Sequence, residues 1–276
     1  MIRLFKFFLL LKVLQRILLS ERRIKKTVVV LTLPRSGSSL LAGILHRLGV
    51  DMGADEQLIE RKFLNKFGCY EDRDFVLFNF KVLAEAGEIG RFKNHNDKKI
   101  EYLINTKKNY IKKLIQKKES DLWGWKDPST IYTIPFLHQF LTNPFYICLR
   151  RDIDDIVNSI LKVVKSFWNL FYIINIYFRV LKLKTIFKVA SNFFLEFIRK
   201  GTPLRTRAFI QSIIKSMYER IDEFLKDKNY ISVTVKEIVE DPMEIIDRLS
   251  RFLDIDPSDK QISDARAFIH PEIITT

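Results

Sequence analysis

The chain has 276 residues, of which 47% are hydrophobic, and it carries 47 Lys and Arg against 33 Asp and Glu, a formal charge of +14 at pH 7. A chain of this length buries about 70–75% of its unfolded surface in a single core, so one main domain accounts for it without repeats or a low-complexity linker. The charge suits a polyanionic ligand, an anionic lipid surface or a Lys-rich solvated exterior, but the basic residues form no single block and no nucleic-acid-binding signature is present, which excludes nucleic acid. Cys69 and Cys148 have no metal-ligand spacing, and His46, His95, His138 and His270 are scattered, so no metal site is expected. Two cysteines make no disulfide framework, which favours a reducing, cytoplasmic location.

The first 26 residues, MIRLFKFFLLLKVLQRILLSERRIKK, are apolar but interrupted by Arg3, Lys6, Lys12 and Arg16. A bilayer span takes about 20 residues, and the longest uncharged run here, Phe7–Leu11, is far shorter. As a helix the segment has a wide apolar face, a narrow stripe of Lys12, Gln15 and Arg16, and a basic collar of Arg22, Arg23, Lys25 and Lys26. That pattern fits a peripheral anchor on an anionic membrane surface, and it also fits a helix packed on the domain. The chain is thus divided into residues 1–26 and a single α/β domain over 27–276.

Thr27–Gly49, TVVVLTLPRSGSSLLAGILHRLG, reads as a buried strand over Thr27–Leu33, a tight loop over Pro34–Ser38 and an amphipathic helix. A β-branched strand feeding a Gly/Ser loop and a helix N-terminus is how α/β proteins build anion sites, because first-turn N–H groups and the helix dipole face the ligand. Arg35 would add a fixed charge, and Ser36, Ser38 and Ser39 hydroxyl donors, while Gly37 would let the backbone close on a phosphate. An ordinary strand–turn–helix has the same outline.

Farther along, Asp72–Ala86 and the Lys-rich stretch Asp97–Lys118 have helical spacing, Leu122–Lys126 is a short strand, Thr130–Thr142 a helix and Pro144–Leu149 a strand. Arg151 follows that strand and Ser159 lies eight residues on, in a helix where Asp155 and Ser159 share a face. Both could reach one phosphate at the carboxyl edge of a parallel sheet. Alternatively, Asp152, Asp154 and Asp155 complement the helix dipole and pair with Arg151. Ser166–Lys200 opens with 13 uncharged residues, Ser166–Phe178, which fits a core helix pair, an apolar lid or a second membrane contact. Thr206–Asp227 is a helix, Tyr230–Val235 the last strand, and Asp241–Leu253 a helix with Asp241 as N-cap and Pro242 at its first position. Alternating strands and helices imply an α/β fold with a P-loop-like parallel sheet flanked by helices on both faces.

Together these stretches resemble the sulfotransferases that use 3′-phosphoadenosine 5′-phosphosulfate (PAPS). Pro34-Arg35-Ser36-Gly37-Ser38-Ser39 matches that family's 5′-phosphosulfate loop, and Arg151 with Ser159 its 3′-phosphate element. Trp123-Gly124-Trp125-Lys126-Asp127-Pro128 is similar to the Lys-Asp-Pro segment of several branches, and Tyr230–Asp256 to the last strand and helix. The resemblance implies PAPS as donor substrate without a metal, and an acceptor hydroxyl on a glycan, lipid-linked or other amphiphilic compound. It implies Arg35 at the leaving 5′-phosphate, Lys126 near the sulfuryl group and Glu71 as the base, with Asp127 as second choice. Lys126 could equally be ion-paired to Asp127 or another carboxylate, and Glu71 could belong to a capping turn. Two features depart from the cytosolic branch. Arg199-Lys200-Gly201 runs into Thr-Pro-Leu-Arg, so no nucleotide role is carried onto it, and Pro128 stands where that branch has its catalytic His.

Two other readings compete. A kinase or NTPase needs Gly-Lys-Ser/Thr in the loop, whereas Gly37 is followed by Ser38 and Ser39. A non-catalytic membrane-surface protein accounts for the charge and apolar segments but not for the loop or the Arg151/Ser159 spacing.

Overall fold

The computed structural model describes residues 25–54, 58, 68–88, 95–165 and 207–269. Four parallel strands, β1 (Lys26–Leu31), β2 (Leu122–Lys126), β3 (Pro144–Arg150) and β4 (Tyr230–Thr234), form one sheet in the order β2-β1-β3-β4. β1 is apolar on both sides, as a strand covered on both faces must be. Val28 and Val30 pack against α1 (Ser38–Arg47), α8 (Val235–Glu240), α9 (Pro242–Leu253) and α10 (Asp259–Ala267). Val29 and Leu31 face α2 (Arg73–Ala86), α3 (Asp97–Thr106), α4 (Lys108–Lys118), α5 (Thr130–Leu137), α6 (Ile153–Lys165) and α7 (Arg207–Leu225). The fold is therefore α/β with both faces of a parallel sheet covered by helices.

The strand order positions the site. From β1 the chain moves outward to β2, then crosses back to place β3 on the other side of β1. The loops after β1 and β3 leave in opposite directions, which opens a crevice at the carboxyl edge between them. In register, Val30 lies beside Lys126 and Leu31 beside Cys148, so residues following β1, β2 and β3 emerge at one edge.

Most elements fall where their periodicity places them, with three differences. Asp97–Lys118 is not one helix but α3 and α4, interrupted at Lys107, where the backbone leaves helical geometry. The bend lets Ile100 and Ile104 on one side and Ile111, Leu114 and Ile115 on the other reach the same core, and Lys107 is held by Glu85 at 2.8 Å. The Thr130–Thr142 helix ends at Leu137 and tightens into a 3₁₀ turn over His138–Phe140. Pro135 cannot donate to the Ile131 carbonyl one turn back, and Arg220 Nε donates to it instead at 3.0 Å.

The third difference is two short helices that hydrophobic periodicity missed. α8 begins with a capping box in which the Thr234 hydroxyl accepts from Glu237 N–H and the Glu237 carboxylate accepts from Thr234 N–H. α10 opens with the equivalent Ser258/Gln261 pair. Both follow the Ser/Thr-x-x-Glu/Gln rule.

Expectations for residues 1–24 and for Ser166–Lys200 lie outside the described residues. No helix among the described residues is long and apolar enough to cross a membrane.

Candidate active site

The loop between β1 and α1 is braced from within. The Thr32 and Ser36 hydroxyls lie 2.5 Å apart, and Ser36 Oγ donates to the Leu33 carbonyl at 2.7 Å; both side chains are wholly buried. The Ser36 hydroxyl thus shapes the loop, whereas Ser38 and Ser39 begin the helix and Ser39 Oγ donates to the Cys69 carbonyl at 3.3 Å. Arg35 and Gly37 both lie in the left-handed region, at φ 62° and 83°. That conformation costs a residue with a side chain about 1–2 kcal/mol, and it is tolerated at Arg35 because the loop around it is fixed. α1 has no acidic residue in its first turn and no side-chain cap, so its N-terminal N–H groups and dipole are unopposed by a carboxylate of the helix itself.

Gly37 has a second reason to be glycine. A Cβ there would lie 2.9 Å from Val235 Cγ2, the first residue of α8. Gly37→Ala is expected to lower stability by about 1–2 kcal/mol through the left-handed backbone alone, and by more through the contact. Adding Val235→Ala should recover the contact part and leave the backbone part, as thermal melts of the two variants would read.

Arg35 reaches across the crevice. Its Nε donates to Ser159 Oγ on α6 at 2.9 Å, and Arg151 Nη1 donates back to the Arg35 carbonyl at 3.3 Å. Arg151 is fixed in turn: its N–H donates to Tyr218 Oη at 3.0 Å, that hydroxyl donates to the Arg151 carbonyl at 3.2 Å, and Asp155 lies 3.6 Å from its guanidinium. Asp152 caps α6, accepting from Asp154 and Asp155 N–H. Burial and, after it, the nearby positive charge of Arg151 hold the Arg35 pKa below its ordinary value. Two guanidiniums gathered at a helix N-terminus repel one another, and a multiply charged anion would offset that repulsion.

A second charged group lies at the end of β2. Lys126 Nζ and Glu71 Oε1 are 2.9 Å apart with both side chains buried. Asp127, also buried, accepts from Asn79 Nδ2 at 2.7 Å and from Ser129 N–H at 3.0 Å. Asn79 Nδ2 also donates to Thr130 Oγ1 at 3.0 Å, and Asn79 Oδ1 accepts from Thr133 Oγ1 at 2.7 Å. Burial, followed by the negative charge of Glu71, pushes the Asp127 pKa up to about 6. An acid whose pKa is raised on folding favours the folded state most fully below its unfolded pKa and loses that contribution as pH rises through the folded value. Asp127 should therefore lower stability as pH climbs from about 4 to 7. Denaturant midpoints across that window should fall less steeply in Asp127→Asn than in the parent chain.

These groups occupy the carboxyl edge of β1, β2 and β3. The family described as the sulfotransferase family matches residues 27–259, most of the chain and all of the sheet but Lys26. This chain is a member of the sulfotransferase family. It is similar to the solved sulfotransferase domain from the curacin biosynthetic pathway, with 13% identity and a TM-score of 0.45, covering 88% of this chain and 78% of that one. It is also similar to the sulfotransferase domain of the Synechococcus PCC 7002 olefin synthase, with 13% identity and a TM-score of 0.48, covering 91% and 83%. No curated protein sequence matches it.

Several residues that shape the candidate site escaped the sequence reading. Asn79 lies on the apolar stripe of α2 between Phe78 and Val82, and a polar residue on a buried stripe was the available signal. Thr130 and Thr133, one turn apart at the start of α5, complete its network. Tyr218, which holds Arg151, and Val235, which would meet a Cβ at Gly37, lie 67 and 198 residues from those positions, and only the fold joins them.

Proposed function

We propose that this sulfotransferase moves a sulfuryl group from PAPS to an acceptor hydroxyl on a glycan, lipid-linked or other amphiphilic compound. One observation supports the reading most: Arg35 of the loop after β1 meets Ser159 and Arg151 of the segment after β3, at the switch point of the sheet. In this reading Arg35 and the first-turn N–H groups of α1, with Gly37, Ser38 and Ser39 at the loop's end, hold the 5′-phosphosulfate. Ser36 contributes through backbone, its hydroxyl being used within the loop. Arg151 and Ser159 take the 3′-phosphate. The Ser159 hydroxyl accepts from Arg35 and keeps its own hydrogen to donate, so it can serve both groups at once.

The donor supplies an activated sulfur whose bond to phosphate oxygen breaks as the acceptor oxygen attacks. Glu71 takes the proton from that acceptor hydroxyl. Lys126 fixes the Glu71 carboxylate beside the sulfuryl position and adds positive charge there. Arg35 and the α1 N-terminus receive the charge that develops on the departing phosphate of adenosine 3′,5′-bisphosphate. Residues 1–26 are assigned to an anionic membrane surface, and the domain over 27–276 to donor and acceptor.

Label transfer from PAPS should proceed in EDTA, and the chain should bind adenosine 3′,5′-bisphosphate in preference to ATP. Strict Mg²⁺ dependence, or tight ATP binding with none for the bisphosphate, would establish a kinase-like activity instead.

A further inference from the structure

We infer that the folded domain has its own face for an anionic bilayer, formed by the solvent side of α4 with the adjoining part of α3. The inference rests on the assignment of residues 1–26 to a membrane surface and extends it to residues that assignment does not include.

α4, KNYIKKLIQKK, contains five lysines and no carboxylate. Lys118 and Lys117 are committed to Asp72 and Asp74, at 2.6 and 3.0 Å. Lys108, Lys112 and Lys113 are exposed and have no ion-pair partner among the described residues, and Lys98 on α3 is in the same position. Ile111, Leu114 and Ile115 face the core; Lys112 and Lys113 lie on the solvent half of the helix, and Lys108, at its first position, flanks the buried stripe one turn before Lys112. Of the two exposed acids on α3, Asp97 is held by Arg220 at 2.6 Å, and Glu101 has no ion-pair partner among the described residues.

This arrangement works against the helix that carries it. Lys108 lies at the N-terminus, beside the positive end of the dipole, and Lys108 and Lys112 are a like-charge pair one turn apart. An anionic surface would turn both penalties into attraction. The two most exposed large side chains of apolar type among the described residues are Tyr102 (67%) on α3 and Tyr110 (53%) on α4, the latter at the rim of the solvent half away from Lys112. Tyrosine, with an apolar ring and a polar tip, suits the boundary between headgroups and water.

The direction from which the N-terminal segment arrives agrees. Lys25 Nζ is 2.8 Å from Glu119, one residue beyond the end of α4, and Lys26 N–H donates to the Asp121 carbonyl at 2.9 Å. Lys25, the first described residue, therefore lies beside the C-terminal end of α4. A bilayer bound by the residues before Lys25 would approach the fold from that side. The loop after β1 emerges at the other end of the strand, where it stays open to acceptor.

The test uses the full chain and sedimentation with phosphatidylcholine vesicles with and without phosphatidylserine. Lys108→Gln/Lys112→Gln/Lys113→Gln should weaken binding to the phosphatidylserine vesicles by about 100-fold and flatten its salt dependence, since each basic residue near the surface contributes severalfold. Its melting temperature should equal or exceed the parent's, and its affinity for adenosine 3′,5′-bisphosphate should be unchanged. Unaltered vesicle binding would overturn the α4 face and leave the N-terminal assignment standing. Failure of the parent chain itself to bind phosphatidylserine vesicles would overturn both. Loss of heparin binding with vesicle binding intact would assign the face to a soluble polyanion and overturn the lipid reading.

Discussion

Glu71→Gln is expected to reduce turnover by about 10²–10⁴-fold, the usual contribution of a positioned base, with affinity for adenosine 3′,5′-bisphosphate unchanged. Gln keeps the shape and an oxygen for Lys126 to donate to, but it cannot take a proton. The substitution also leaves the Lys126 ammonium buried without its carboxylate, and breaking a buried pair by removing one partner costs about 3–5 kcal/mol. Stability and catalysis can be separated with Lys126→Met. Alone, it strands the Glu71 carboxylate and should destabilise further. Combined with Glu71→Gln, it removes both charges, so the double variant should melt above either single variant while remaining inactive. Unfolding and turnover measured on the same three proteins would read this. Near-normal turnover in folded Glu71→Gln would pass the role of base to Asp127, whose raised pKa of about 6 and fixed bonds to Asn79 and Ser129 make it the next group to test.

The parts of this site that were legible in the sequence are those encoded locally. The strand, loop and helix over Thr27–Gly49 are specified by a β-branched run, a glycine and a helical apolar stripe within one stretch of chain. The same is true of β3 with Arg151 and Ser159. The pairing of Glu71 with Lys126 could be posed from sequence as one alternative among several carboxylates, but choosing it required the fold to bring residues 55 positions apart within 2.9 Å. The internal use of the Ser36 hydroxyl was hidden for another reason. A serine in such a loop is equally suited to donate to a ligand or to the Leu33 carbonyl, and only burial distinguishes the two. α8 was hidden because Tyr230–Val235 continues an apolar strand pattern, although the Thr234/Glu237 capping box marks where the strand must stop. α3 and α4 read as one helix because the single-residue break at Lys107 hardly shifts the register of the buried face.

Arg35→Ala should weaken binding of adenosine 3′,5′-bisphosphate by roughly 10–100-fold, the loss of a charge-assisted contact contributing about 1.5–3 kcal/mol. The effect should be specific to the ligand. Arg151 donates to the Arg35 carbonyl, which alanine retains, so the β3 side of the crevice should keep its geometry. Arg35 is held with its pKa lowered by burial and by Arg151, so removing its charge also relieves a repulsion in the unliganded protein. Its melting temperature without ligand should therefore change by less than about 2 °C, while the upward shift produced by the bisphosphate shrinks. Arg151→Ala should weaken the bisphosphate by a similar factor. The two losses should fall short of adding, because the groups are in contact and share one ligand. Arg35→Lys should recover little, since an ammonium cannot hold Ser159 and a phosphate oxygen in two directions as a guanidinium does. A lower melting temperature with bisphosphate affinity unchanged would make Arg35 a structural brace for α6 and remove it from the donor site.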